Sequence, residues 1–196
     1  SATDAGGRSG GLGGPADKAV FGALRAVADV VVAGAATIIT EDYGPSRPPA
    51  GVRDQRVARG QAPTPRIAVT SASLAIEPTR RFFAEASPDA RPLVLTVAAA
   101  DPARRRALEA VADVHVVGDE QVDWARAFAL LHAEVGARVV LCEGGPSTIG
   151  QLVADDLLDE LCLTIAPVLV AGDGPRIASS AAPVGTALDL WIAGGG

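Results

Sequence analysis

The chain has 196 residues, 48% of them apolar, and carries a net charge of -6. It is long enough to bury a core in one domain without disulfide or metal staples. An acidic balance, with a pI near 4.9, excludes the concentrated basic face that nucleic acid or an anionic membrane requires, so neither is expected as a partner. No leader and no run of about 18 apolar residues is present. The expected location is cytoplasmic. Cys142 and Cys162 lie in separate apolar runs with no CxxC spacing and no histidine pair nearby, so both are expected as reduced core residues and no metal site is expected.

Ser1 to Gly14 is glycine-rich and polar and predicts a loop. The chain opens on Ser1 and contains no methionine, so a preceding segment is expected. Pro15 suits a first helical turn, and Val20, Phe21, Leu24, Val27 and Ala28 recur on one face, which predicts a helix from Ala16 to Ala28. Val30 to Ala33 predicts a buried strand ending in the corner Gly34 to Thr37. Glu41 to Pro65 is polar and rich in proline, and predicts a long loop that could meet a substrate. Ile67 to Thr70 returns as a strand and ends in Ser71-Ala72-Ser73.

Helices at Thr79 to Ala86, Pro102 to Val111 and Trp124 to Val135 then alternate with strands at Leu93 to Val97 and Val114 to Val117, with Asp123 as a helix cap. Val139 to Cys142 predicts a strand, followed by Glu143-Gly144-Gly145-Pro146-Ser147-Thr148, an amphipathic helix, and a strand from Leu161 to Val170. Ala187 to Ala193 predicts a last strand. Strands alternating with helices define one α/β domain over residues 1 to 196, with a mainly parallel sheet and helices on both faces. The arginine pairs and triplets at Arg80-Arg81 and Arg104 to Arg106 are expected on solvated helix faces. Trp124 and Trp191 are expected as core anchors, and His115 and His132 as structural.

Chemistry concentrates at the glycine corner. Gly144 and Gly145 let the backbone turn sharply, and the first N–H groups of the next helix have no partner within it. That arrangement suits a phosphate, with Ser147 and Thr148 adding hydroxyls. The alternative is a tight turn capped by Ser147. In parallel sheets ligands sit beyond the carboxyl ends of the strands, where the corners at Gly34 to Thr37, Ser71 to Ser73 and Gly144 to Thr148 all fall. No GxGxxG fingerprint with a following acidic residue is present. The serines after Ile67 to Thr70 would not repel a 2′-phosphate, so a dinucleotide here is better read as NADPH than NADH.

The pattern Arg8-Ser9-Gly-Gly-Leu-Gly-Gly-Pro-Ala-Asp17, then Leu24-Arg25-Ala26, Gly34 to Thr37 with Glu41-Asp42 and Pro45, Glu143-Gly-Gly-Pro146, Asp159-Glu160-Leu161 and Ala166-Pro167 resembles the reductase domain of the riboflavin-biosynthesis deaminase-reductase. The resemblance covers nearly the whole chain. It implies a dihydrofolate-reductase-like fold, NADPH as cofactor, a homodimer, and reduction of the ribosylamino group of a pyrimidine phosphate to its ribitylamino form. It further implies cofactor contacts at Thr37, Glu41, Ser71 and Gly144, Gly145, Pro146, Ser147, Thr148, Ile149, Gly150 and Gln151. Substrate contacts are implied at Ser9, Arg25, Arg47 and Glu143, the two arginines being candidates for the 5′-phosphate. The resemblance identifies no catalytic acid.

Two departures stand out. Glu41 replaces the usual aspartate, and the family's first strand would precede Ser1. The zinc signature of a deaminase half is absent from the sequence, which reads as a stand-alone reductase. Alternatives are a dihydrofolate or other small-heterocycle reductase on the same fold, and a non-catalytic NADPH-binding domain. Glu143, closing a buried strand, must find a hydrogen-bond donor wherever it points.

Overall fold

The structure, a computed structural model, describes residues 13–165 and 176–189. Helix α1 (Pro15–Val27) leads into strand β1 (Val30–Gly34), and the short helix α2 (Ala35–Thr40) follows without a break. Next come α3 (Ala50–Ala58), β2 (Arg66–Thr70), the single turn α4 (Arg81–Ala84), a 3-10 turn at Pro88–Ala90, and β3 (Leu93–Thr96). The described elements end with α5 (Pro102–Glu109), β4 (Asp113–Val116), α6 (Trp124–Val135), β5 (Val140–Cys142) and α7 (Pro146–Ala154). The strands form one sheet in the order β4-β3-β2-β1-β5, and every pairing is parallel.

Side chains alternate across β1, and the two faces build two cores. Val31 and Ala33, with Ile67, Val69 and Val94, pack against Ile38, Phe82, Phe83 and Leu108. Val30 and Val32, with Ala68, Leu93 and Leu95, pack against Trp124, Ala127, Leu131 and Leu152. Helices therefore cover both faces, as a parallel sheet requires. Trp124 is an anchor as expected, 1% exposed, and its indole N–H donates to Gln151 Oε1 at 2.8 Å.

Helix α6 has the predicted limits because both ends carry their signals. Asp123 Oδ1 accepts from the Arg126 N–H at 3.0 Å, and Gly136 closes the helix at φ 70°, a conformation that favours glycine. Asp101 likewise caps α5, accepting from the N–H groups of Ala103 and Arg104. His115 lies in β4 and His132 on α6, neither at the carboxyl-end corners.

Several expectations require correction. The stretch from Glu41 to Pro65 is not a continuous loop, since it contains α3. Gly34 to Thr37 is a strand end running into α2, and the helix expected at Thr79 to Ala86 shrinks to α4. Residues 161–165 form no strand, nor do 187–189; the remainder of both expected strands, Ser9 and Trp191 lie outside the described residues. Cys162 is exposed rather than buried. The arginine clusters are only partly solvated: Arg80 Nη2 donates to the Ile39 carbonyl, and Arg105 Nη2 donates to those of Val97 and Ala98.

Helix α3 turns one residue inward, and it is charged. Arg56 is fully buried. Its Nη1 donates to the carbonyls of Ala28 at 2.6 Å, Ala26 at 3.0 Å and Arg25 at 3.5 Å, while Nε donates to Ala62 O at 2.8 Å. The guanidinium thus satisfies carbonyls that the end of α1 leaves unpaired. Helix α1 itself buries no residue, and Val20, Phe21 and Val27 on it are exposed.

Asp29, between α1 and β1, ties three segments together. Its Oδ2 accepts from the N–H groups of Arg138 and Val139 at 2.8 and 2.9 Å, and Oδ1 accepts from Gln61 Nε2 at 2.6 Å. Desolvation pushes this carboxyl up, but the bonds from Gln61, Arg138 and Val139, with the charge of Arg56, outweigh it and hold the pKa below its ordinary value. A depressed carboxylate stabilises the fold above its unfolded pKa, about 3.9, and that contribution disappears as pH falls through the folded value. Asp29→Asn is therefore expected to lower the urea midpoint at pH 7 and to approach the parent protein at pH 3. An equal deficit at both pH values would assign the loss to packing rather than charge.

Candidate active site at the carboxyl ends of the strands

β1 and β5 lie side by side, so their carboxyl ends bring Gly34 and Glu143 together. The Gly34 N–H donates to Gly144 O at 2.8 Å, and the Glu143 N–H donates to Val32 O at 2.8 Å. Gly144 takes φ +87°, where a side chain would be strained. The Gly144–Gly145 peptide is cis. Gly145 then becomes the N-cap of α7, with no side chain capping the helix, and Pro146 occupies its first turn. Ser147 is thus inside the helix rather than its cap.

Thr37 projects from α2 toward this corner. A Cβ placed on Gly145 would lie 2.9 Å from Thr37 Oγ1, closer than real side-chain carbons approach. Ser71 stands beyond β2, one strand away, with Thr70 paired to Gly34. Its Oγ accepts from the Leu74 N–H at 2.9 Å, and its carbonyl accepts from Thr96 Oγ1 at 2.8 Å. The hydroxyl proton of Ser71 is still available to a ligand. Three sequence-predicted corners are therefore adjacent in space: Thr37, Ser71 and the run from Gly144 to Thr148.

Within that run the roles divide. Ser147 is exposed while Thr148 and Gly150 are buried. A Cβ on Gly150 would meet Ser179 O at 2.0 Å, so this glycine permits close packing of residue 179 on α7. Ile149 packs toward Gly144, and the Gln151 side chain is turned to Trp124. Glu41, the C-cap of α2, is half-buried.

Beside the corner stands a charged cluster. Arg25 donates through Nε and Nη2 to the two carboxylate oxygens of Glu143, both at 2.6 Å. Tyr43 Oη donates to Glu143 Oε2 at 2.8 Å. The Glu143 side chain is 3% exposed and that of Arg25 31%. The guanidinium also stacks on Phe21 at 4.6 Å and on Tyr43 at 5.4 Å from the ring centroids, a cation–π arrangement. The donor that buried Glu143 requires is thus supplied by the protein itself.

The energetics follow from that geometry. Burial disfavours the Arg25 charge, but the bonds and charge of Glu143, with a contribution from Tyr43, outweigh it and raise the pKa. Burial, then the Glu143 charge and hydrogen bond, push the Tyr43 hydroxyl well above its ordinary range, so it remains a donor. Two of the five guanidinium donors are on Glu143, which leaves three for an anion. Arg47 is placed differently: its side chain is 67% exposed and pairs with Glu85 at 3.0 Å.

Tyr43 is the member that sequence reasoning missed. It is the only tyrosine of the chain, set directly after Glu41-Asp42, and that singularity was the available signal. Among the described residues no cluster of three or more histidine, cysteine or acidic side chains could hold a metal ion, and no helix is long and apolar enough to cross a membrane.

Parallel strands, helices on both faces and a glycine corner at the carboxyl ends define an α/β domain of the dihydrofolate-reductase-like kind. The chain belongs to the RibD C-terminal domain family, whose model matches residues 1–190. It is 28% identical over 162 residues to the 2,5-diamino-6-ribosylamino-4(3H)-pyrimidinone 5′-phosphate reductase of Archaeoglobus fulgidus, covering 82% of this chain and 72% of that one. Among solved structures it is similar to a pyrimidine reductase-like protein from Corynebacterium diphtheriae, with a TM-score of 0.74 and 32% identity over 83% of this chain and 68% of that one. RibD of Acinetobacter baumannii, at 15% identity and a TM-score of 0.64, shares the fold over 86% of this chain and 43% of its own length.

Proposed function

We propose that this protein is an NADPH-dependent reductase of riboflavin biosynthesis that converts the ribosylamino group of a pyrimidine 5′-phosphate to a ribitylamino group. The observation that carries this reading is the juxtaposition, at the ends of β1 and β5, of an uncapped glycine-led helix start and the Arg25–Glu143–Tyr43 cluster. The name of the archaeal relative supports the substrate class.

The residues fit a dinucleotide. Pro146 has no N–H, so Gly145, Ser147 and Thr148 are the donors of the α7 start, and the Gly145 position leaves open a cradle that a Cβ would fill against Thr37. Thr37 and Ser71 offer hydroxyls on either side of β1. When bound, NADPH supplies a hydride. On the substrate, opening of the ribose ring breaks the C1′–O4′ bond, passes the amine proton to O4′ and leaves a C1′=N imine, whose carbon accepts the hydride while its nitrogen regains a proton. The protein's share is orientation and exclusion of water. Arg25, fixed by Glu143 and Tyr43, presents its remaining donors to the 5′-phosphate. Arg47 serves the same phosphate if it leaves Glu85.

The same ion pairs favour a second reading. Both candidate phosphate arginines are engaged by carboxylates, which suits an unphosphorylated heterocycle such as dihydrofolate. NADPH oxidation, followed by nicotinamide absorbance, separates the two. Turnover with the phosphoribosylaminopyrimidine and not with dihydrofolate is expected. Gly145→Val is expected to lower kcat/KM for NADPH about tenfold or more, because the new side chain displaces Thr37 or the helix start. Turnover on dihydrofolate alone would support the second reading, and tight NADPH binding without oxidation would leave a cofactor-binding domain.

A further inference from the structure

The segment that joins α2 to α3 carries Tyr43 to the Arg25–Glu143 pair, and side chains hold it there. Among the described residues, no backbone group of residues 44–48 pairs with another backbone group. Asp42 takes φ +49°, a left-handed conformation that aspartate tolerates. Its carboxylate faces Arg80 at 3.6 Å and Arg81 at 3.9 Å, while the next side chain, Tyr43, reaches Glu143. Arg81 Nε also meets Glu85 Oε1 at 3.5 Å, and a Cβ placed on Gly44 would lie 3.0 Å from Arg81 Nη2, so the chain at Gly44 runs close against that guanidinium. The other oxygen of Glu85, Oε2, accepts from Arg47 Nη2 at 3.0 Å. One carboxylate thus ties α4 to the far part of the segment.

The ends of the segment are fixed and its middle is not. Arg80 donates to the Ile39 carbonyl of α2, and Arg56 pins α3 to the carbonyls of Ala26 and Ala28. Pro48 and Pro49 stiffen the entry into α3. Arg47 stands four residues from Tyr43, a reach of at most about 14 Å. Its ion pair with Glu85 is open to solvent on both sides, and such a pair is weak and exchangeable. A phosphate monoester carries about −1.5 to −2 charge at pH 7, against the single charge of a carboxylate, and accepts the guanidinium fork. It is therefore the better partner for Arg47.

We propose that residues 42–49 form a strap that Glu85 holds off the site: Glu85 is an internal anion that Arg47 exchanges for the phosphate of the ligand, and the exchange draws the strap over that phosphate. The inference rests on the phosphate-bearing substrate proposed above. Asp42 stays with Arg80 and Arg81, so the movement is confined to the part between Gly44 and Arg47. Glu85 is a positioning residue, setting the affinity for phosphate without touching it.

The strap carries the only tyrosine of the chain, so the protein grown with 3-fluorotyrosine gives a single fluorine NMR resonance that reports on it. The full chain is titrated with ribose 5-phosphate, inorganic phosphate and ribose, with affinities read by calorimetry. Both phosphates are expected to bind and to shift the resonance, and ribose is not. Glu85→Gln is expected to tighten ribose 5-phosphate about two- to fivefold, the worth of an exposed ion pair, and Arg47→Gln to weaken it about tenfold. Glu85→Gln added to Arg47→Gln is expected to change nothing further. Both positions are exposed, so unchanged melting temperatures verify that the variants fold. Equal tightening in the Arg47→Gln background would make Glu85 a general repulsive charge and overturn the exchange. No effect of Glu85→Gln in the parent, or phosphate binding that leaves the resonance unmoved, overturns it too, and in each of these cases the reductase reading stands. If neither phosphate binds the parent, the exchange fails together with the phosphate-bearing substrate.

Discussion

Glu143→Ala is expected to destabilise the protein by about 3–5 kcal/mol, the cost of removing one partner from a buried ion pair. For a domain of this size that corresponds to a melting temperature lower by roughly 6–20 °C. The loss is large because two groups are stranded at once. Arg25 would keep its charge between Phe21 and Tyr43 with no carboxylate to receive it, and the Tyr43 hydroxyl would lose its acceptor. Tyr43→Phe removes one hydrogen bond and leaves the ring on Arg25, so it is expected to cost only about 1 kcal/mol. Thermal and urea unfolding of both variants decide the matter, and equal small losses would show that the cluster contributes little to stability.

A paired replacement separates stability from function at this site. Arg25→Met with Glu143→Leu leaves no buried charge unpaired, and such exchanges are often neutral. Stability is expected to return toward the parent value, whereas binding of a phosphorylated pyrimidine is not. Recovery of both would remove Arg25 from the substrate site.

Arg56→Ala is the second change with a large expected effect, again about 3–5 kcal/mol. Its deletion takes the donors from the carbonyls of Ala26, Ala28 and Ala62, of which the bond to Ala28 is fully buried. Removal of Nη2 costs no hydrogen bond, since that nitrogen is buried without a partner. Arg56→Met should therefore fill the space and still fall short, because the carbonyls remain unpaired. Arg59 and Gln61 donate to the Ala26 and Val27 carbonyls from the rim and moderate the damage. An unfolding free energy from urea titration within about 1 kcal/mol of the parent for Arg56→Ala would contradict this account. The variant is also expected to lose affinity for substrate, because Arg25 belongs to the stretch of α1 that Arg56 holds.

Much of the fold was legible because local signals and tertiary needs agreed. The five described strands are short apolar runs between polar corners, and α6 carries an aspartate cap and a glycine stop. Helix α3 was not legible: prolines precede it, and its only buried side chain is an arginine, so apolar periodicity had nothing to display. Residues Leu161 to Ile165 resemble a strand in composition, yet Leu163 and Ile165 are exposed, and the run pairs with no strand among the described residues. At the corner the reverse held. Glycines and a proline at Gly144 to Pro146 declared the turn, and the sheet order then placed it beside Thr37 and Ser71. The partner of Glu143 was hidden by distance along the chain, because a carboxylate at a strand end states its need for a donor and not which donor meets it.

The pairing of β1 with β5 also has a consequence in time. Arg25 and Glu143 are 118 positions apart, and a ribosome adding about 5–20 residues per second needs on the order of ten seconds to cover that interval. During it β1 has β2 on one side only, and its other edge, carrying the apolar run Val30 to Ala33, stays open to any strand that meets it. The nascent chain can assemble four of its five described strands before the helix start at Gly145 exists. Completion of the candidate site and closure of the vulnerable edge are therefore the same event.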